Sequence, residues 1–161
     1  MADILAAMSR KVIALAAGAG VLAGAAGAAA WARARLVAIS VDGFSMSPSL
    51  YPRDRVLVRR GIFGLRRGRI VVVARPHTVT GWRGAPPAIG DLNETQWFIK
   101  RVVAVAGDPY PAELRRSGTI PSGHVAVLGD HPHSEDSKQY GPCPVDQILG
   151  VQVRKLASQA A

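Results

Sequence analysis

A serine stands in a short bend near the start of the polar part of the chain, where the sequence reads Gly43-Phe44-Ser45-Met46-Ser47-Pro48. Glycine adopts backbone angles that are closed to other residues, and proline fixes its own φ and stops a helix. A bend of this kind can point a hydroxyl into a cleft, but Ser, Gly and Pro are also ordinary turn residues. Ser45 is therefore a candidate nucleophile only if a base for it lies elsewhere in the chain.

A lysine interrupts the longest apolar run of β type. The two-residue period of a strand puts Phe98, Lys100 and Val102 on one face, with Arg101 on the other. A lysine there can pack its stem on apolar neighbours and send its ammonium to water. If the amine is buried instead, its pKa falls, and a neutral amine can take the proton of a serine hydroxyl. Lys100 is thus the candidate base for Ser45.

Hydrogen-bonding groups crowd a third stretch, residues 129–138, which follows an apolar run. Ser134 could orient a neutral lysine amine. Asp136 could pair with Arg101, which needs a carboxylate of its own, or with Lys138. This stretch is the candidate support for the pair of Ser45 and Lys100.

The same stretch also contains possible metal ligands. Asp130, His131 and His133 stand close together, but the sequence offers no clear third or fourth partner for the two histidines. A polar loop is the favoured interpretation, and we expect neither a metal nor an organic cofactor.

Short β-branched runs separated by clusters of Gly, Pro and Asp indicate a mainly β fold, an antiparallel barrel or sandwich. The segments 75–96 and 107–123 are predicted to be long loops, and no helical period appears beyond the N-terminal region. The predicted strands are 36–41, 55–59, 69–74, 97–105, 124–128 and 148–153.

The N-terminal region differs in composition from the rest. After a short flank at 1–11, residues 12–32 carry no charge, and as a helix they would be about 31 Å long, the thickness of a bilayer core. A cleaved signal peptide and a disordered Ala/Gly tail are the alternatives, but the run exceeds the usual apolar core of a signal peptide. We therefore expect one transmembrane helix at 12–32, whose orientation the equal basic flanks leave open.

The 161 residues carry a net charge of +9, which suits an anionic partner such as a membrane surface or a nucleic acid. Aromatic residues are only 6% of the chain and do not alternate with the basic ones, as a single-strand nucleic-acid groove would require. The one cysteine, Cys143, excludes an internal disulfide.

These clusters, taken in order, resemble the type I signal peptidases, the membrane-anchored Ser/Lys endopeptidases. The resemblance covers roughly residues 36–153 together with the apolar run. Four stretches carry it: Gly43-x-Ser45-Met46-x-Pro48, Asp54-Arg55-Val56-Leu57-Val58, Lys100-Arg101-Val102-Val103-x-x-x-Gly107-Asp108, and Gly129-Asp130 through Ser134-x-Asp136-Ser137.

The resemblance implies a β-rich catalytic domain at 36–156 on a single-pass anchor in the plasma membrane, facing the extracytoplasmic side. Ser45 would be the nucleophile and Lys100 the base. Ser134, Asp136, Arg101 and Gly129 would support them, with Ser134 holding the amine and Asp136 bracing Arg101. A pocket for small side chains would be lined near Val41, Met46 and Ile99. The partners would be signal-peptide-bearing preproteins and membrane lipids, with no nucleic acid.

The chain also departs from the family pattern. Gly43 stands where some members have a second serine for the oxyanion, and Arg53 stands where glycine is usual. Ala106 replaces a usual proline. His131 and Lys138 replace Asn and Arg in a last box that is one residue shorter. These departures indicate a divergent member.

Three other functions fit parts of the pattern. A specialised maturation protease would share every motif. A cytoplasmic self-cleaving Ser/Lys peptidase would share the fold and the dyad, but would carry a DNA-binding region where residues 12–32 are apolar. A basic β-barrel that binds nucleic acid would leave the ordered motifs unexplained.

Overall fold

The computed structural model describes residues 34–82 and 97–156 and four single positions, 24, 27, 30 and 31. The chain divides into two units, Met1–Leu36 and Val37–Ala161. In the first unit the described residues from position 24 to Arg35 are helical. The predicted anchor at 12–32 lies almost wholly outside the described residues, as does the flank at 1–11. Within the described part of the chain, no helix combines the length and the apolar character that a bilayer crossing requires.

The described residues of the second unit are built on one antiparallel sheet of seven strands. The strands are β1 (Leu36–Ser40), β2 (Arg55–Arg60), β3 (Ile70–Ala74), β4 (Trp97–Val105), β5 (His124–Leu128), β6 (Cys143–Pro144) and β7 (Ile148–Lys155). Their order across the sheet is β1-β2-β7-β3-β4-β5-β6, and the pairs from β2 to β6 are antiparallel. The prediction of a mainly β antiparallel fold is confirmed, although the sheet is curled and open instead of a closed barrel.

Helical structure is sparse among the described residues of this unit. One α-helical turn, α1, spans Ser137–Tyr140, and 3-10 turns span Ala112–Leu114 and Val145–Gln147. The six predicted strands are present. Sequence reasoning missed β6 and α1, which are only two and four residues long. Of the predicted loop at 75–96, residues 83–96 lie outside the described part.

The strand β3 is the centre of the core, because all five of its residues are buried. Ile70 and Val72 face one apolar cluster, whereas Val71 and Val73 face another. On the neighbouring strand β4, Ile99 joins the first cluster, and Phe98 and Val102 join the second. This alternation is the one expected for a strand covered on both faces. It also leaves Lys100 on the same face as the second cluster.

We expect Gly150→Ala to destabilise the sheet. Gly150 lies on β7 opposite Arg60 of β2 and Val72 of β3. A Cβ at this position would meet the carbonyl of Arg59, and it would lie 2.7 Å from a methyl of Val58. Backbone atoms cannot move aside cheaply, so the free energy of unfolding should fall by about 1–3 kcal/mol. Gln152→Ala, in the same strand, is the control in urea unfolding. Equal midpoints for the two variants would contradict this packing.

Candidate active site

The candidate nucleophile lies in the connection between β1 and β2. Met46 and Leu50 are almost fully buried and anchor this bend in the first apolar cluster. Backbone hydrogen bonds from Ser47 to Phe44 and from Leu50 to Met46 close it. Gly43, at the entry to the bend, has φ of 76°, a region that favours glycine. Ser45 is half-buried between these anchors, so its hydroxyl is placed by the core and still reachable.

Lys100 is a buried amine. Its side chain is 2% exposed and lies on β4, with its Nζ 4.7 Å from the centre of the Phe98 ring. Burial lowers the pKa of Lys100 from 10.5 to about 8, because desolvation disfavours the ammonium more than the nearby charges of Asp136, Glu135 and Asp130 favour it. A substantial fraction of this amine is therefore neutral at mildly alkaline pH, as a general base must be.

Ser45 and Lys100 line one cleft of about 600 Å³. The cleft is formed by residues 38–46, Arg75, residues 97–100 and a loop that includes His131, His133, Ser134 and Glu135. The predicted pocket residues Val41, Met46 and Ile99 all line it as well. No hydrogen bond joins the Ser45 hydroxyl to the Lys100 amine among the described residues. Such bonds are often long in substrate-free sites and shorten when substrate binds.

The loop after β5 is held against the nucleophile bend by a backbone contact. The His131 N–H donates to the Ser45 carbonyl at 3.1 Å. Gly129 is needed at this point, because a Cβ on it would collide with the Ser45 carbonyl and the Ser134 side chain. The predicted supporting position of Gly129 thus has a steric basis.

Asp136 organises this loop from a fully buried position. Its Oδ2 accepts from Ser134 Oγ at 2.7 Å and from the Gly129 N–H at 2.9 Å, and lies 3.2 Å from Lys138 Nζ. Its Oδ1 accepts the Lys138 N–H at 3.0 Å as the N-cap of α1. Ser134 is buried in the wall of the cleft with lone pairs still available, so its role as the holder of the lysine amine stays a prediction.

The expected brace between Asp136 and Arg101 is wrong. Arg101 instead forms a bidentate ion pair with Asp130. Its Nε donates to Oδ1 at 2.8 Å, and its Nη2 donates to Oδ2 at 2.6 Å. The oxygens of Asp136 are already taken by the loop, and Lys138 is its cationic partner. Burial alone would raise the pKa of Asp130. Hydrogen bonds from Arg101 and Ser49, together with the charge of Arg101, outweigh this effect and hold the pKa below its usual value.

Asp130 is a residue that sequence reasoning weighed only as a metal ligand. The strand register of the folded chain explains its role, because Leu128 of β5 lies opposite Arg101 of β4, and Asp130 follows two residues later. Arg101 also donates to Ser49 in the nucleophile bend and to the Gly68 carbonyl. It therefore ties together three segments around the cleft. Among the described residues no group of side chains is arranged to hold a metal ion.

The sequence itself matches a known family over most of its length. Residues 12–109 and 110–156 match the model described as signal peptidase, peptidase S26. The chain belongs to this family. Membership implies a serine peptidase, a hydrolase that acts on substrates bearing signal peptides. A search of curated proteins found no match.

Replacing Lys100 by methionine should stabilise the signal peptidase fold at neutral pH. The folded-state pKa of about 8 lies below the ordinary value of 10.5, so the unfolded chain holds the proton more tightly. Folding is thus penalised by up to about 3 kcal/mol below pH 8, and the penalty vanishes as the pH rises to 10.5. Lys100→Met should gain about 1–3 kcal/mol at pH 7 in chemical unfolding. A difference from wild type that does not change with pH would contradict the burial of this amine.

Gly129→Ala should separate folding from activity. The added methyl forces the Ser45 carbonyl or the Ser134 side chain to move, and small displacements of reacting groups cost about a hundredfold in rate. We expect kcat/KM per folded molecule to fall by about that factor in cleavage of a preprotein. Ser122→Ala, an exposed site in another loop, should keep the wild-type rate. A folded Gly129→Ala variant with wild-type activity would show that this contact does not set the site.

Proposed function

We propose that the chain is a membrane-bound signal peptidase that removes N-terminal signal peptides from exported preproteins with a Ser45/Lys100 dyad. The observation that carries the proposal is the buried Lys100 amine, whose pKa is lowered to about 8, in the same cleft as the Ser45 hydroxyl. A serine and a lysine with these properties, in a chain of this family, fit the requirements of nucleophile and base.

The reaction would be acyl transfer through an ester. Neutral Lys100 takes the Ser45 proton while Ser45 Oγ attacks the scissile carbonyl carbon. The resulting ammonium gives this proton to the leaving amine nitrogen, the C–N bond breaks, and an acyl-enzyme remains. Water then loses a proton to Lys100, attacks the ester and releases Ser45 with its hydrogen. The Ser45 backbone N–H would help to stabilise the oxyanion.

Two features of the cleft support an extended substrate. Strand β1 is an edge strand of the sheet, and its residues 38–40 line the cleft. An extended peptide could add to this edge by main-chain hydrogen bonds, with alternate side chains read in pockets. Val41, Met46 and Ile99 would form the pocket for a small side chain beside the cleaved bond.

The proposed location is based on the N-terminal run. The family match begins at residue 12, where the apolar segment of 12–32 starts. A single-pass anchor in the plasma membrane, with the unit of residues 37–156 on the extracytoplasmic side, would bring the cleft to the surface where preproteins emerge. Phe44 is 64% exposed at the cleft, as a residue facing a bilayer surface can be.

The proposal is tested by cleavage of a signal-peptide-bearing preprotein in detergent. Ser45→Ala and Lys100→Ala should each lose about a thousandfold or more of the activity, because nucleophile and base act as a unit. The wild-type rate should rise with pH through about 8, as Lys100 becomes neutral. Ser122→Ala is the control. If both dyad variants cleave like wild type, the assignment of Ser45 and Lys100 is wrong.

A further inference from the structure

Strand β2 and its connection to β3 carry a concentration of positive charge. Six arginines lie between positions 55 and 69, and residues 55–74 contain no acidic residue. Arg66 and Arg67 are exposed next to each other at the end of this connection. We call residues 59–69 the arginine loop. Its net positive charge fits an anionic surface.

The tip of the arginine loop is apolar and exposed. Ile62 is 49% exposed and Phe63 is 75% exposed. An exposed apolar pair of this kind marks a contact site more often than an isolated surface residue does.

The loop is also held in one shape. The Arg59 guanidinium lies 4.1 Å from the centre of the Phe63 ring and donates to the Phe63 carbonyl at 2.6 Å. The Leu65 N–H donates to the Ile62 carbonyl at 2.9 Å, and the Leu65 side chain packs on the second apolar cluster. The Gly61 N–H bonds to the Leu149 carbonyl of β7 at 2.8 Å. A loop fixed in this way presents its apolar tip without a large ordering cost.

We propose that the arginine loop docks on an anionic lipid surface, with Ile62 and Phe63 entering the headgroup boundary and the flanking arginines binding lipid phosphates. Apolar residues flanked by arginine are the arrangement by which a protein lies on such an interface. A nucleic acid would use the charge, but it offers no apolar layer for Ile62. Lipid is therefore the partner that accounts for both the charge and the tip.

The position of the loop connects this contact to the cleft. Arg101 follows the candidate base directly in the chain, and its guanidinium bonds to the Gly68 carbonyl at the end of the loop and to Ser49 in the nucleophile bend. A docked loop would therefore fix the cleft relative to the membrane surface. The inference rests on the proposed membrane location, but it does not require cleavage.

The test uses the full chain with Ser45→Ala, so that no proteolysis occurs, and an environment-sensitive fluorophore on Ile62→Cys. Cys143 is buried and should not react. The protein is reconstituted in vesicles of phosphatidylcholine alone or with phosphatidylglycerol. We expect a blue shift and quenching by lipid-borne quenchers only with phosphatidylglycerol. A fluorophore on Val79→Cys, a site 84% exposed outside the loop, should show neither. If position 62 does not accept the label, Phe63→Cys gives the same measurement.

Two double variants, each lacking a pair of exposed arginines, distinguish docking through the arginine loop from a general effect of net charge. Arg66→Gln with Arg67→Gln should weaken docking about thirtyfold, since each arginine near an anionic surface contributes about fivefold. Arg115→Gln with Arg116→Gln removes the same charge from another exposed pair and should leave docking unchanged. Equal effects of the two pairs, an equal signal in neutral vesicles, or a shift seen only with an oligonucleotide would each overturn the proposal. Docking without any cleavage by the wild-type chain would count against the proposed function and leave this inference standing.

Discussion

The desolvation of one amine is the constraint on which the site depends. Lys100 lies on a strand that is paired on both sides, and it faces an apolar cluster. Burial lowers its pKa, although the charges of three neighbouring acids raise it. The arrangement of those acids explains why burial prevails. Asp130 is paired with Arg101, and Asp136 is saturated by Lys138, Ser134 and backbone N–H groups. Asp130 and Asp136 each have a cation of their own, so their attraction does not offset the desolvation of the Lys100 ammonium.

The strands could be predicted from the sequence, and Ser45 and Lys100 could be singled out as candidates, because the signals for both are local. β-branched runs bounded by Gly, Pro and Asp mark the strands, and the two-residue period alone places Lys100 with Phe98 and Val102. The short elements were missed because two or four residues carry no period. For α1 a signal was present, since Asp136 and Gln139 form a capping box. Most of residues 12–32 lie outside the described residues, and the anchor stays a prediction.

The sequence alone could not decide which carboxylate, that of Asp130 or that of Asp136, pairs with Arg101. Asp130 and Asp136 stand six positions apart in one polar stretch, and both are plausible partners for Arg101. The choice is decided by the register of β4 and β5 and by the start of α1, which are properties of the folded chain.

The departures from the family pattern have a physical explanation. Arg53 adopts φ of 71°, the region where glycine is favoured, and Lys138 provides the charge partner of Asp136.

The protonation state of the buried amine is the quantity that tests this account most directly. The lysine side chains can be labelled with ¹³C at Cε and ¹⁵N at Nζ and titrated by NMR. Since the chain has four lysines, each signal can be assigned by replacing one lysine at a time. The account predicts one lysine that titrates near pH 8 and whose signal is missing in Lys100→Met. A Lys100 that titrates near 10.4, like an amine in water, would contradict the burial and, with it, the role of this residue as a base.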